Sequence, residues 1–438
     1  MTPLTTPEPS ADPVPLPRCS SNVELLGRVD GTGYEQPHWL VCVGGQRYIH
    51  ATTRLYHALM HADGTRSIEE IARRVSDDTG DETTGEEVEW LVRNRLEPAG
   101  LVSTDRGPSQ PAPVPAAPAP LLAIKHRLPL LPAKVTAPLL SVLHHLHWPP
   151  VAVLAVATAA GINGWLYFGG GLGRGLQELL QQPAWLLLVL ALQLPLRTFH
   201  ELGHASALRH WGVRHGVIGV ALYVVIPVFY SDVTHSYRLP RRGRIQTDLG
   251  GMYFDCVSTV VLFALYALTG QQVLLLAILL VGLAMLTEFT PFMRFDGYYL
   301  LADAVGVPEP MSLFRPLLRD LLPMNWGNRR RLRLRPVARL VLLAYLAVVI
   351  AFLARPVLLI AAVGVNFLVA WLDQVLQLNL AISRAFHAGD WALLGVTLIS
   401  LVSWGLTLIG LALFVSSLLR LGWKGARSAV ARLRSRVS

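Results

Sequence analysis

His200-Glu201-Leu202-Gly203-His204 follows a nearly unbroken apolar run, Trp185 to Leu194, and this juxtaposition restricts the fold more than any other stretch of the chain. Positions i and i+4 share one face of a helix, so both imidazoles can reach a single tetrahedral ion. The glutamate between them can then act as general base on a water that the ion activates. Leaving such groups beside a lipid-spanning run without a metal or polar partner would cost about 2.5–3.5 kcal/mol per ionised side chain. The segment reads as a zinc site inside a membrane, with satisfied buried histidines as the plainer alternative.

A pattern with three fixed letters also arises by chance, so its context has to decide. Of 438 residues, 52% are hydrophobic and only 15% charged, against about 25% charged in an ordinary soluble domain. That balance points to a mainly α, polytopic protein of a cell membrane. Met1 to Pro17 is polar and proline-rich and does not read as a signal peptide, which places the N-terminal region in the cytosol. Cys19, Cys42 and Cys256 show no paired spacing, so neither a disulfide framework nor a thiolate metal site is indicated. The net charge of +9 is uneven. Acidic residues crowd Asp77 to Glu89, whereas the excess arginine lies beyond residue 120 beside apolar runs, a distribution expected to contact anionic lipid and not nucleic acid.

Five regions are expected: a disordered N-terminus, 1–20; a small α+β domain of winged-helix type, 21–105; a Pro/Ala linker, 106–120; a membrane core, 121–310; and further membrane helices with a basic tail, 311–438. Within 21–105, His38 to Val43 and Gln46 to Ile49 form a hairpin about Gly44-Gly45. Helices follow over about Thr53 to His61, Ser67 to Val75, with Ser67 and Glu70 spaced as a capping box, and Gly85 to Pro98. This domain resembles the PqqD-like peptide-recognition domains, chiefly through Thr53 to Val75 and its Asp63-Gly64-Thr65-Arg66-Ser67-Ile68-Glu69-Glu70-Ile71. The resemblance implies binding of the leader of a ribosomally made peptide. A DNA-binding winged helix is the competitor, disfavoured by the domain's acidity.

Membrane spans are expected over about Pro150 to Phe168, Pro183 to Leu208, Gly250 to Leu268, Gln272 to Phe292, Val337 to Ala354, Pro356 to Leu372 and Trp391 to Leu419. Val217 to Tyr230 is too short to cross and reads as a re-entrant or membrane-edge hairpin, which keeps Arg209, Arg214, Arg238, Arg241, Arg242 and Arg244 on the cytosolic side. The count does not close. Three crossings after the Arg329 to Arg335 run leave the tail, Arg420 to Arg436, outside unless one stretch folds back.

Two histidines do not complete a zinc site. Asp296, in Pro291-Phe292-Met293-Arg294-Phe295-Asp296-Gly297, is the candidate third ligand, since the topology brings it to the same end as His204; an ordinary helix-end aspartate is the alternative. Taken with Arg238-Leu239-Pro240-Arg241-Arg242, Asp248 to Phe254 and Phe295-Asp296-Gly297-Tyr298-Tyr299, the region Leu121 to Pro310 resembles the site-2 protease group of intramembrane zinc metalloproteases, most nearly its bacterial peptide zinc metalloproteases. That resemblance implies a site-2 protease-like core, zinc as cofactor, His200, His204 and Asp296 as ligands, Glu201 as base, and a peptide precursor as substrate. A peptide exporter or modifying enzyme is a further candidate partner.

Two positions depart from the group: Asp255 and Glu288 stand where it often carries amide side chains. An amide both donates and accepts hydrogen bonds, an ionised carboxylate only accepts. Asp255 and Glu288 are thus candidate substrate-handling residues, and the two departures leave open a catalytically inactive scaffold that binds a peptide and assists its modification or export; Asp232, in Tyr230-Ser231-Asp232 after the re-entrant stretch, is a further candidate for ordering substrate or the site's surroundings, with a plain turn as the alternative. A membrane sensor with a DNA-binding domain is the third class of reading. His210, His215 and His235 read as interfacial, and His144, His145 and His147 are not expected to bind metal.

Overall fold

A computed structural model describes residues 16–103, 124–169, 184–223, 226–291, 293–321, 333–403 and isolated positions between 405 and 420. The linker expected at 106–120, most of the Arg329 to Arg335 run and most of the basic tail lie outside the described residues. The described chain is mostly helical and divides into two compact units, each assembled from discontinuous segments.

The first unit holds residues 1–120, 234–245 and 299–346. Its β-meander, β2 (Val23–Arg28), β3 (His38–Val43) and β4 (Arg47–Thr52), precedes three helices, α1 (Thr53–His61), α2 (Ile68–Thr79) and α3 (Gly85–Leu91), with a single π-turn at Val92–Leu96. The expected β3–β4 hairpin forms, and Gly44 and Gly45 take φ of 59° and 71°, a geometry that strongly favours glycine. Each helix opens on a hydroxyl cap: Thr52, Ser67 and Thr84 accept from the backbone N–H three residues on, at 3.3–3.4 Å. Val41, Tyr56, Leu59, Ile71, Val75, Val88 and Leu96 form the core.

The expected disorder of 1–20 is corrected at its end. β1 (Arg18–Cys19) pairs antiparallel with β5 (Val102–Ser103) and closes the domain, a pairing of distant residues that no local pattern announces. Residues 299–346 belong to the same unit as the N-terminal domain, not to a separate C-terminal region. Gly33 donates to Gly306 (2.9 Å), Glu35 to Arg333 (3.0 Å), and Arg335 to the Gly33 carbonyl (2.8 Å). Arg238 and Arg244, expected as topological charges, are structural: Arg238 pairs with Glu24 and Tyr48, and buried Arg244 with Asp303 at 2.8 Å.

The second unit holds 121–233, 246–298 and 347–438. Four helical stretches among the described residues are long and apolar enough to cross a membrane: α5 (Pro149–Phe168), Trp185–His210 of α6 (Ala184–His210), α8 (Gly250–Thr269) and Pro336–Arg355 of α12 (Pro336–Ala388). A 20-residue helix is about 30 Å long, the thickness of the hydrocarbon layer. Between α3 and α5 lies α4 (Ala133–Leu143), while α7 (Arg241–Asp248), α9 (Val273–Glu288), α10 (Asp296–Val305) and α11 (Phe314–Leu321) complete the numbering up to α12.

Two expectations change here, and the expected hairpin takes a definite form. The stretch Gln272 to Phe292 yields only the 16-residue α9, because the chain must turn before Pro291, which disfavours helix in the residue ahead of it. Val337 to Ala354 and Pro356 to Leu372 are one continuous helix, α12; proline's fixed φ is helical, and Pro356 removes one ladder bond without ending the helix. The stretch Val217 to Tyr230 is a β-hairpin, β7 (Ile218–Tyr223) with β8 (Ile226–Ser231), extended by β6 (Ile124–Leu131) into a three-stranded sheet with β8 at its edge.

Candidate metal centre

Helix α6 carries His200 and His204 one turn apart, and α10 begins at Asp296. The three side chains converge. Asp296 Oδ2 lies 3.1 Å from His200 Nε2 and 2.9 Å from His204 Nε2, and the two Nε2 atoms are 3.4 Å apart. These separations are those of one face of a small tetrahedron: bonds of about 2.0–2.1 Å to a central ion give edges of about 3.3 Å.

The surroundings decide which nitrogen offers its lone pair. His200 Nδ1 donates to Asp255 Oδ2 at 2.9 Å, and His204 Nδ1 donates to the Thr247 carbonyl at 2.7 Å. Both partners only accept, so Nδ1 carries the hydrogen in each ring and Nε2 turns its lone pair toward Asp296. Three electron-donating atoms thus face one another in a buried place, where a cation satisfies all three. His200 and His204 are 4% and 5% exposed, Glu201 8%.

Glycines make the approach possible. A Cβ on Gly251 would lie 2.4 Å from Nε2 of both histidines, so the space before the three donors exists only because that residue has no side chain. Gly203, inside the motif, meets Gly250 in the same way: a Cβ there would lie 2.3 Å from the Gly250 carbonyl oxygen, so α6 and α8 cross with backbones in contact.

Asp255 is fully buried and does not stand where a substrate would meet it. Its second oxygen accepts from Arg197 Nη2 at 3.0 Å, so it works as a clamp between Arg197 and His200. Glu288 accepts the backbone N–H of Asp296 and fixes the start of α10. Of the residues expected to handle substrate, Asp255 is thus placed against His200 and Arg197, and Glu288 against the backbone of Asp296. Asp232 continues the backbone ladder at the open end of the β7–β8 hairpin, its carbonyl accepting from Gly216 at 2.8 Å and its N–H donating to Val217 at 2.9 Å.

Arg197 and Thr247 escaped sequence reading as members of the site, and Ser231, read with Asp232 as either a plain turn or an ordering residue, donates its hydroxyl to Glu201. Arg197 carried the one available signal, a cation inside an apolar run three residues before His200. His147 braces the motif from behind. Gln246 donates to its Nδ1 (3.4 Å), its Nε2 donates to Ser206 (2.8 Å), and Ser206 donates to the Gly203 carbonyl (2.8 Å). Burial, with His210 next, pushes the His147 imidazole down to about 4, consistent with this neutral relay. A scan of protein-family models and searches of curated proteins and of solved structures each find no match to this chain.

Proposed function

We propose that this chain is a membrane-embedded zinc metalloendopeptidase of the site-2 protease kind. In this reading it cuts a small, ribosomally made or membrane-associated peptide precursor whose leader is bound by the N-terminal domain. The observation that carries the reading is the convergence of His200, His204 and Asp296 on one point, with Glu201 beside them and each imidazole oriented by its own acceptor. Zinc held by these three side chains would supply Lewis acidity to water and to the scissile carbonyl. Glu201 takes a proton from the attacking water and returns it to the leaving amine, while Ser231 holds its carboxylate in place. Asp255, clamped by Arg197, keeps His200 turned toward Asp296.

A helical peptide bond is internally hydrogen-bonded and must be unwound before hydrolysis. Strand β8 is an edge and ends at Ser231, so a substrate paired along it is extended where it reaches Glu201. For the leader, β2 occupies the near side of the β3–β4 hairpin, leaving the outer edges of β2 and β4 for strand addition. A cavity of about 330 Å³ lies beside β2, lined by Leu26, Arg28, Leu40, Tyr237 and Arg241.

The test pairs zinc analysis with peptide cleavage by the detergent-purified chain. Loss of the zinc held at this centre in His204→Ala and Asp296→Ala, about one ion per chain relative to the parent, with hydrolysis of an apolar peptide library by the parent and far less by Glu201→Gln, is the expected outcome. Zinc binding without hydrolysis of any library member would turn the reading toward a peptide-binding scaffold.

A further inference from the structure

The N-terminal domain repeats, on its surface, the donor set of the buried site. On α1, His57 and His61 stand four residues apart, and Asp78 reaches them from α2. Asp78 Oδ2 lies 2.9 Å from His57 Nδ1 and 2.6 Å from His61 Nε2, and the three ligand atoms all lie within 4.8 Å of one another. The two imidazoles are only 12% and 13% exposed, whereas Asp78 is 35% exposed. The His57 ring is wedged edge-on against Trp39 (5.2 Å) and Tyr56 (5.9 Å), so its orientation is set by packing before any ligand arrives.

We propose that His57, His61 and Asp78 form a second divalent-metal site, of zinc class, that ties α1 to α2 in the N-terminal domain. Two neutral imidazoles and one carboxylate suit zinc among the common divalent ions, since calcium and magnesium prefer oxygen ligands alone. The i, i+4 pair supplies a chelate from one helix and the carboxylate supplies the cross-link to the next. Residues Ala58, Leu59 and Met60 between the histidines include no acid, so the site lacks the general base that stands between the buried pair. This proposal stands apart from the buried centre and does not depend on its chemistry.

The test is metal content of tag-free, full-length protein, stripped with chelator, reloaded with zinc and freed of excess by gel filtration. Asp78→Asn keeps an oxygen that accepts from both imidazoles and so preserves the fold while removing the charged ligand; His61→Gln is the second variant. About two zinc ions per chain are expected in the parent, about one in Asp78→Asn, His61→Gln or His204→Ala, and none in Asp78→Asn combined with His204→Ala. Equal zinc in the parent and Asp78→Asn overturns the surface site, whatever that content is. A single zinc lost in Asp78→Asn but kept in His204→Ala supports the surface site and removes the buried one.

Discussion

Two pairs of histidines, each spaced four residues apart on a helix and each met by an aspartate from another helix, sit in opposite surroundings. His200 and His204 lie in the apolar unit, with both Nδ1 atoms held by Asp255 and Thr247 and with Glu201 between the two histidines. His57 and His61 lie near the surface of the N-terminal domain, His57 oriented by aromatic packing, and have no acid between them. The difference teaches that one donor set can sit in two chemical settings, and that the proposed catalytic role rests on what the buried one alone has around it. A base within reach, a burial that strengthens every charge, and a second layer that fixes each tautomer separate the two.

The sharpest way to break this contrast is Glu201→Gln. If Glu201 is the base, hydrolysis falls by about 10²–10⁴-fold, the usual contribution of a positioned acid–base group, while zinc at the buried site is retained. Activity within a few-fold of the parent would remove Glu201 from the chemistry and leave the two sites alike.

A smaller effect distinguishes the surface pair. In His204→Ala, where only that pair could bind, zinc at a hundred times its Kd should stabilise α1 and α2 against opening by about 2.7 kcal/mol. Amide exchange across Thr53–His61 and Ile68–Thr79 would then slow about a hundredfold, and Asp78→Asn should erase the zinc effect. Exchange that ignores zinc would reduce the cluster to a hydrogen-bonded tie between helices.

Comparable in size is the weight of the second layer at the buried site. Asp255→Asn conserves shape but presents a neutral amide to His200 and leaves Arg197 without its counter-ion. Loss of such an outer partner weakens metal binding by about 10–100-fold, or about 1.4–2.7 kcal/mol. Zinc competition with a chromophoric chelator measures it, and an unchanged affinity would mean that Asp255 merely neutralises Arg197.

Much of this was legible in the chain, and the rest was hidden for physical reasons. The His200 to His204 pattern, the apolar runs of α5 and α8 and the Gly44-Gly45 turn are local signals, because a helix face, a membrane-length run and a positive-φ turn each need only a few neighbours. Asp296 was reachable by topology. Asp255 was noticed as a departure, but its partner, His200, lies 55 residues away, so its role as a clamp required the crossing of α6 and α8. Strand β1 pairs with a strand more than eighty residues on, and β6 joins a hairpin that reads as a short apolar stretch. Pro356 misled in the other direction: a proline marks the probable end of a helix, yet α12 continues through it. The spacing His57-x-x-x-His61 carries the same signal as the buried motif and stands in plain view, but without an apolar flank nothing in the sequence singled it out.

The smallest effect sharpens the comparison with a histidine that has no acidic partner. His50, on β4, is half-buried, and its Nε2 is buried with no hydrogen-bond partner among the described residues. Burial, then His38 and Arg244, push its imidazole down to about 4 from an ordinary value of about 6.5. Between those two pH values the unfolded chain binds a proton that the folded domain does not, so acid favours unfolding. The stabilising term is complete above about 6.5 and is lost as pH falls through about 4, the opposite trend from a histidine whose folded-state affinity for protons is raised by a carboxylate. Thermal unfolding of the N-terminal domain in chelator should therefore fall more steeply from pH 7 to pH 5 in the parent than in His50→Gln. Equal slopes would show that His50 is solvated in solution.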